Sequence, residues 1–184
     1  LSTGTRTLLF KNEHSIAGYL ADQNGGVPIG IKSTADGLGT DVFRIDGQNV
    51  SKLFTLSCDI FQGCSPLRVE NDGRIYVQRA TPQDNFTHLA IYDPKSGSWT
   101  KLEEDPDKEV DFGGAVFSDL TGELLATYYI GDRIRYYPKD EQFAADLAKV
   151  KAQLGDGDIY FGSSTTDERL HIVSVTSDVD PGAV

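Results

Sequence analysis

The chain has 184 residues, 39% hydrophobic and 24% charged, which is ordinary for a soluble globular protein able to bury a sizeable core. Acids outnumber bases 28 to 17, the net charge is -11, and no basic cluster stands apart, so neither nucleic acid nor an anionic membrane surface is an expected partner. No apolar run approaches the ~18–20 residues of a membrane span. The opening Leu1-Ser2-Thr3-Gly4-Thr5-Arg6 lacks the apolar segment of a secretory signal.

In chain order, Ser2-Thr3-Gly4-Thr5 reads as a turn similar to Lys95-Ser96-Gly97-Ser98, and Thr7-Leu8-Leu9-Phe10 as the strand after it. A turn rich in Asp, Asn and Gly follows at Asp22-Gln23-Asn24-Gly25-Gly26-Val27. It recurs as Asn71-Asp72-Gly73-Arg74-Ile75, as Asp119-Leu120-Thr121-Gly122-Glu123-Leu124 and, more weakly, as Thr166-Asp167-Glu168-Arg169-Leu170. Gly26 to Gly73 is 47 residues, Gly73 to Gly122 is 49 and Gly122 to Glu168 is 46. A second mark keeps the same step, a strand ending on a polar turn: Val42 to Gly47, Leu89 to Pro94, then Ile134 to Pro138. Two independent marks on one period identify an internal repeat.

Each repeat reads as several short strands. In the second they are Pro66 to Val69, Arg74 to Arg79, Thr87 to Tyr92 and Trp99 to Leu102. They are rich in the β-branched and aromatic residues that fit a half-buried pleated surface. Asp72-Gly73 is expected to form a two-residue type I′ turn, which needs positive φ at both central positions. Four antiparallel strands per ~40–50 residues is the pattern of a β-propeller blade. A β-sandwich also uses short strands, but it gives no reason for turns recurring in step.

From Glu141 to Leu154 the pattern changes, with Phe143, Leu147, Val150 and Leu154 on one helical stripe. Asp140 is the expected N-cap and Gly155 the expected left-handed stop. The helix is expected to act as a packed cover at a blade edge or rim. Ile172 to Thr176 is the last expected strand, and Asp180-Pro181-Gly182 begins another turn before Val184.

The expected fold class is therefore all-β: one domain over 1–184, a partial ring of blades with one inserted amphipathic helix. Its approximate units are 1–12, 13–57, 64–105, 110–155 with the helix, and 158–184. Both ends cut through blades in this reading, and unpaired strand edges are expected to drive edge-to-edge self-association.

Few residues carry chemistry. Cys58 and Cys64 are too few for a disulfide framework or a four-ligand zinc site, though they are spaced to close a small loop. No G-x-S-x-G occurs; the nearest piece is Gly162-Ser163-Ser164-Thr165. His14, His88 and His171 have no neighbouring motif that makes any of them a base, and the last two fall within expected strands. Asp156-Gly157-Asp158 and Asp178-Val179-Asp180 offer oxygens to calcium without continuing into an EF-hand pattern. Asn49-Val50-Ser51 and Asn85-Phe86-Thr87 match glycosylation triplets. Tyr128, Tyr129, Tyr136 and Tyr137, with Asp132 and Arg133 between them, read as packing or as a surface for a peptide or sugar. No catalytic, cofactor-binding or metal-binding residue is assigned, and no cofactor is expected.

The run F-S-D-L-T-G-E-L-L-A-T-Y-Y-I-G-D-R from Phe117 to Arg133, then the acidic helix, Ile159-Tyr160-Phe161-Gly162-Ser163-Ser164 and Thr176-Ser177-Asp178 before Pro181-Gly182, carries a resemblance. With the Thr3 to Leu9 and Gly18 to Asp22 stretches, it resembles the propeller region of prolyl oligopeptidase-family serine peptidases, the acylaminoacyl peptidase and dipeptidyl peptidase group. The resemblance implies a non-catalytic propeller that covers the active site of a C-terminal α/β-hydrolase domain and filters peptide substrates. It implies no catalytic residue in this chain. The alternative is a stand-alone propeller that binds a protein or carbohydrate; a propeller enzyme with its site in the channel is a weaker third reading. Either the periplasm or the cytoplasm is compatible with the composition.

Overall fold

The computed structural model describes residue 4 and residues 6–57, 63–155 and 157–178. They form antiparallel sheets and one helix, and the chain divides into two compact units, Leu1–Glu104 and Asp105–Val184. No helix among the described residues is long and apolar enough to cross a membrane.

The first unit holds two sheets of identical topology. Strands β1 (Gly18–Leu20), β2 (Ile29–Ser33), β3 (Gly39–Asp46) and β4 (Asn49–Ser57) pair in chain order, as do β5 (Ser65–Val69), β6 (Ile75–Arg79), β7 (His88–Asp93) and β8 (Ser98–Glu103). Four antiparallel strands laid down in sequence order are the blade pattern that the repeat implies. Alternation along β6 directs one face inward: Ile75 and Val77 are fully buried, with Tyr76 between them partly open, whereas β7 is buried continuously from His88 to Tyr92. Ile29, Val42 and Leu56 of the first sheet meet Val69, Ile75, Val77 and Tyr92 of the second in one core. Phe54, Tyr92 and Trp99 extend it as an aromatic cluster with ring centroids 4.5 to 4.9 Å apart.

In the second unit, β9 (Phe112–Phe117), β10 (Leu124–Ile130) and β11 (Ile134–Pro138) form a three-stranded sheet. Helix α1 (Glu141–Leu154) follows, and β12 (Asp158–Ser164) pairs with β13 (His171–Thr176). The helix comes where a fourth strand follows in the first two sheets. Its stripe is the reason: Phe143 and Leu147 are buried with Ala126, Ile159 and Val175, between β10 on one side and β12–β13 on the other. The helix is thus part of this unit's core, a deeper role than a cover at the rim. Leu154, the last residue of the expected stripe, is 46% exposed.

Two turn expectations need correction. Asp72 does not take a left-handed conformation; among the described non-glycine residues only Ser15, Lys108 and Glu168 do so. The Glu70–Arg74 loop instead closes with Gly73 N–H on the Glu70 carbonyl and Glu70 N–H on the Arg74 carbonyl, with Gly73 at φ 90°. That is a three-residue hairpin loop ending in a glycine bulge, and Asp72 serves it by accepting from the Arg74 amide at 3.0 Å. At the end of α1, Gly155 has φ 81° but ψ -161°, outside the left-handed helical basin. Asp140 caps the other end as expected, its carboxylate accepting from the Phe143 amide at 2.7 Å.

The recurring turn joins the first two strands of each repeat, at β1–β2, β5–β6, β9–β10 and β12–β13. Gly25, Gly73 and Gly122 take positive φ in the first three, and Glu168, at φ 53°, takes it in the fourth. Thr7 to Phe10, expected as a strand, has no strand pairing, and Leu8 is 78% exposed. Leu1, Ser2, Thr3, Thr5, Cys58, Asp156 and Val179 to Val184 lie outside the described residues.

Candidate functional site

A concave feature with many convergent polar groups lies in the second unit. It is a cleft of about 360 Å³ between the β9–β10 turn, the first turn of α1 and the β12–β13 hairpin. Its floor is apolar, from Val116, Leu125, Phe143 and Phe161; its rim carries Asp119, Glu123, Asp140, Asp146 and Glu168, with His171 the one basic side chain among its lining residues. Such a rim has the chemistry to hold a cationic group over an aromatic floor.

Glu168 defines one wall. Its carboxylate accepts the Ser118 hydroxyl at 2.7 Å, the Leu120 amide at 3.2 Å and the Asp119 amide. Burial alone raises its pKa, but these hydrogen bonds outweigh burial and hold it below the usual glutamate value. The left-handed backbone at residue 168, costly for any residue with a Cβ, is what points the side chain at the neighbouring turn. The first unit has a neutral counterpart: Asn71 of the β5–β6 turn donates to Gln23 of the β1–β2 turn at 2.7 Å. On the helix, Asp146 accepts from Gln142 and Lys149, and both bonds lower its pKa.

Ser163 and Ser164 line the cleft as exposed residues, and the His171 ring lies 3.0 Å from the Glu168 carbonyl. His14 is exposed, and its carbonyl accepts from Lys32. His88 is 3% exposed in the first unit, with Nδ1 3.5 Å from Asp84. Burial is the larger influence on His88 and lowers its pKa against the pull of Asp84. Asp84, held down to about 2 against its own desolvation, anchors the 80–87 loop by accepting from the Thr81 amide and hydroxyl and from Lys101.

The calcium candidates find other partners. Asp158 accepts the Ile134 amide at 2.9 Å and faces Arg133, which also reaches Asp178 at 3.3 Å. Among the described residues no three His, Cys, Asp or Glu side chains gather as metal ligands. Of the two triplets, Asn49 is exposed at the start of β4. Asn85 is exposed on the 80–87 loop, but Thr87 is fully buried. The tyrosines pack: Tyr129 meets Phe112 and Tyr137, and Tyr136 meets Tyr128, Phe143 and Phe161. The Tyr136 hydroxyl donates to the Ile159 carbonyl, and burial pushes its pKa up to about 12. Cys64 is disulfide-bonded; Cys58, the other cysteine of the sequence, lies outside the described residues.

Two groupings have no local sequence mark. One is the Glu168 clasp, whose only signal is a glutamate where the parallel turns have glycine. The other is Asp105, 1% exposed, which accepts the Glu109, Val110 and Asp107 amides and pairs with Arg135 at 2.7 Å.

No protein-family model and no solved structure matches the chain. Over 178 residues, 96% of its length, it is 30% identical to dipeptidyl aminopeptidase BIII of Pseudoxanthomonas mexicana, and it spans 25% of that protein. The chain is a distant relative of a dipeptidyl aminopeptidase, matched along almost all of its own length to about a quarter of that protein's.

Proposed function

We propose that this chain is the non-catalytic propeller portion of a prolyl oligopeptidase-like serine peptidase, covering the active site and filtering peptide substrates by size. The observation that carries the proposal is the alignment, 30% identity running through 96% of the chain, with a protein named as a dipeptidyl aminopeptidase. Antiparallel sheets repeating in chain order support it, since they are the blades such a cover is built from. In this reading the sheets are successive blades of one partial propeller over 1–184. The partner is a C-terminal α/β-hydrolase domain of the same protein, which supplies the nucleophile, base and acid.

Two measurements test it. The coding DNA beyond Val184 is expected to encode G-x-S-x-G, then Asp and then His, in alternating strands and helices. The purified chain is expected to leave a chromogenic dipeptidyl substrate intact, whereas the protein with the hydrolase domain cleaves it and spares folded proteins. Turnover by the chain alone, rising with its purity, overturns the non-catalytic assignment. Further 47-residue repeats followed by a stop codon overturn the peptidase reading and leave a stand-alone binding propeller.

A further inference from the structure

We propose that a cleft between the two sheets of the first unit binds an alkylammonium group, the chemistry of a lysine side chain, with Glu70 as its acceptor. The proposal is independent of the peptidase reading. The cleft has a volume of about 350 Å³, and its lining runs from Asp22 to Lys95, within two sheets of four paired strands each. It is lined by both of the turns that the Asn71–Gln23 hydrogen bond ties together, β1–β2 and β5–β6.

Glu70 follows β5 directly, and its backbone closes the β5–β6 turn in both directions, to the Arg74 carbonyl and from the Gly73 amide. That fixes the root of its side chain in the cleft wall. Its Oε1 is sealed from solvent and has no hydrogen-bond partner, so the carboxylate can meet a donor only through Oε2. Burial raises its pKa and Asp72 adds to the rise, while Arg68 and Arg74 pull the other way without bonding Oε1. A carboxylate half stripped of water with no donor in exchange is costly. A charged donor relieves that cost better than water does.

The remaining lining selects a positive head on an apolar stem. Four carboxylates face two cations, and the cations, Arg44 and Lys95, are both exposed. Asp22, half-buried like Glu70, spends Oδ1 on the Asn24 and Gly26 amides. Asp72 is paired with Arg74 at 2.7 Å, and Asp46 is exposed. A cation is therefore drawn past the exposed charges towards the half-buried acids. Pro28, Leu53 and Pro94 give an apolar wall, along which a chain of methylenes can lie as lysine stems do on protein surfaces. A metal ion makes no use of such a wall.

The test is a titration of the ¹⁵N-labelled 184-residue chain with acetyl-lysine amide, with putrescine and with the uncharged acetyl-norleucine amide, followed through amide shifts. Both amines are expected to shift the Glu70 to Arg74 amides saturably, and acetyl-norleucine amide to leave them in place. Glu70→Gln keeps the shape of the side chain without its charge, and is expected to weaken amine binding about tenfold, the loss of one charge-assisted hydrogen bond. Glu141→Gln, an equal change of charge on α1, is expected to bind as the parent does. Tighter binding of acetyl-lysine amide than of putrescine identifies a lysine of a peptide or protein as the source, and the reverse order a free amine; either supports the site. Absence of a saturable shift at residues 70–74 with both amines overturns the proposal, and that readout needs no substitution. So does acetyl-norleucine amide binding as tightly as the amines, or Glu70→Gln binding them as the parent does.

Discussion

Replacing Glu168 by alanine removes a side chain that ties the β12–β13 turn to the β9–β10 turn. Two of its three donors, the Asp119 and Leu120 amides, belong to exposed residues, so water takes the carboxylate's place there at little cost. The third is different. Ser118 is 2% exposed, and its oxygen already accepts from the Leu120 and Thr121 amides, so without Glu168 its hydroxyl proton loses the charged acceptor it has here. A buried donor losing a charged acceptor costs about 2 kcal/mol, equivalent to about a thirtyfold change in a local opening equilibrium. Glycine at the same position loses the clasp as well but relieves the left-handed backbone, worth about 1 kcal/mol. Glu168→Gly is therefore expected to be milder than Glu168→Ala, although it removes the same bonds. Hydrogen exchange at the Asp119 to Thr121 amides reads the difference directly. Equal exchange in Glu168→Ala and the parent would refute the clasp; equal loss in the alanine and glycine variants would refute the strain.

Acid acts on the same clasp. Because Glu168 is held below its ordinary 4.5, its stabilisation is present above that pH and disappears as pH falls through the lower folded-state value. Exchange at Asp119 should therefore accelerate in acid in the parent and not in Glu168→Ala. Asp84 has an ordinary value of 3.8 and a folded value of about 2, so its contribution is lost between those two, and Asp84→Ala is expected to open the 80–87 loop to limited proteolysis at neutral pH. His88 works from the higher side: burial lowers its pKa from 6.5, so the unfolded chain takes up the proton first and first-unit stability declines as pH drops below that value. His88→Leu should flatten that part of the urea-midpoint profile. Asp105→Ala deprives three backbone amides and Arg135 of a buried acceptor, and is expected to cost about 2 kcal/mol in chemical denaturation.

The strands of the second repeat were legible within a residue or so, because alternation and the intervening turns both marked them; β5 to β8 fall where Pro66 to Leu102 placed them. Helix α1 begins and ends where Asp140 and Gly155 marked it, because both are local signals that act within one turn of the chain, although Gly155 stops it outside the left-handed basin. What stayed hidden was long-range. Nothing near Glu168 announces Ser118, 50 positions away, and Arg135 is separated from Asp105 by 30. The type I′ turn failed at Asp72 for a related reason. A side chain able to accept from its own loop stabilised the right-handed alternative, which a dipeptide rule does not weigh.

The single tryptophan sits in the first unit, where its indole packs on Phe54 and Tyr92 and the Arg79 guanidinium stacks over it at 4.0 Å. Its emission therefore follows the melting of β1–β8 alone. Far-UV circular dichroism sums both units, and the helical band near its minimum belongs mainly to α1. If the units unfold together, the two signals share one midpoint; if they do not, the gap between the midpoints measures how independently each unit holds its fold.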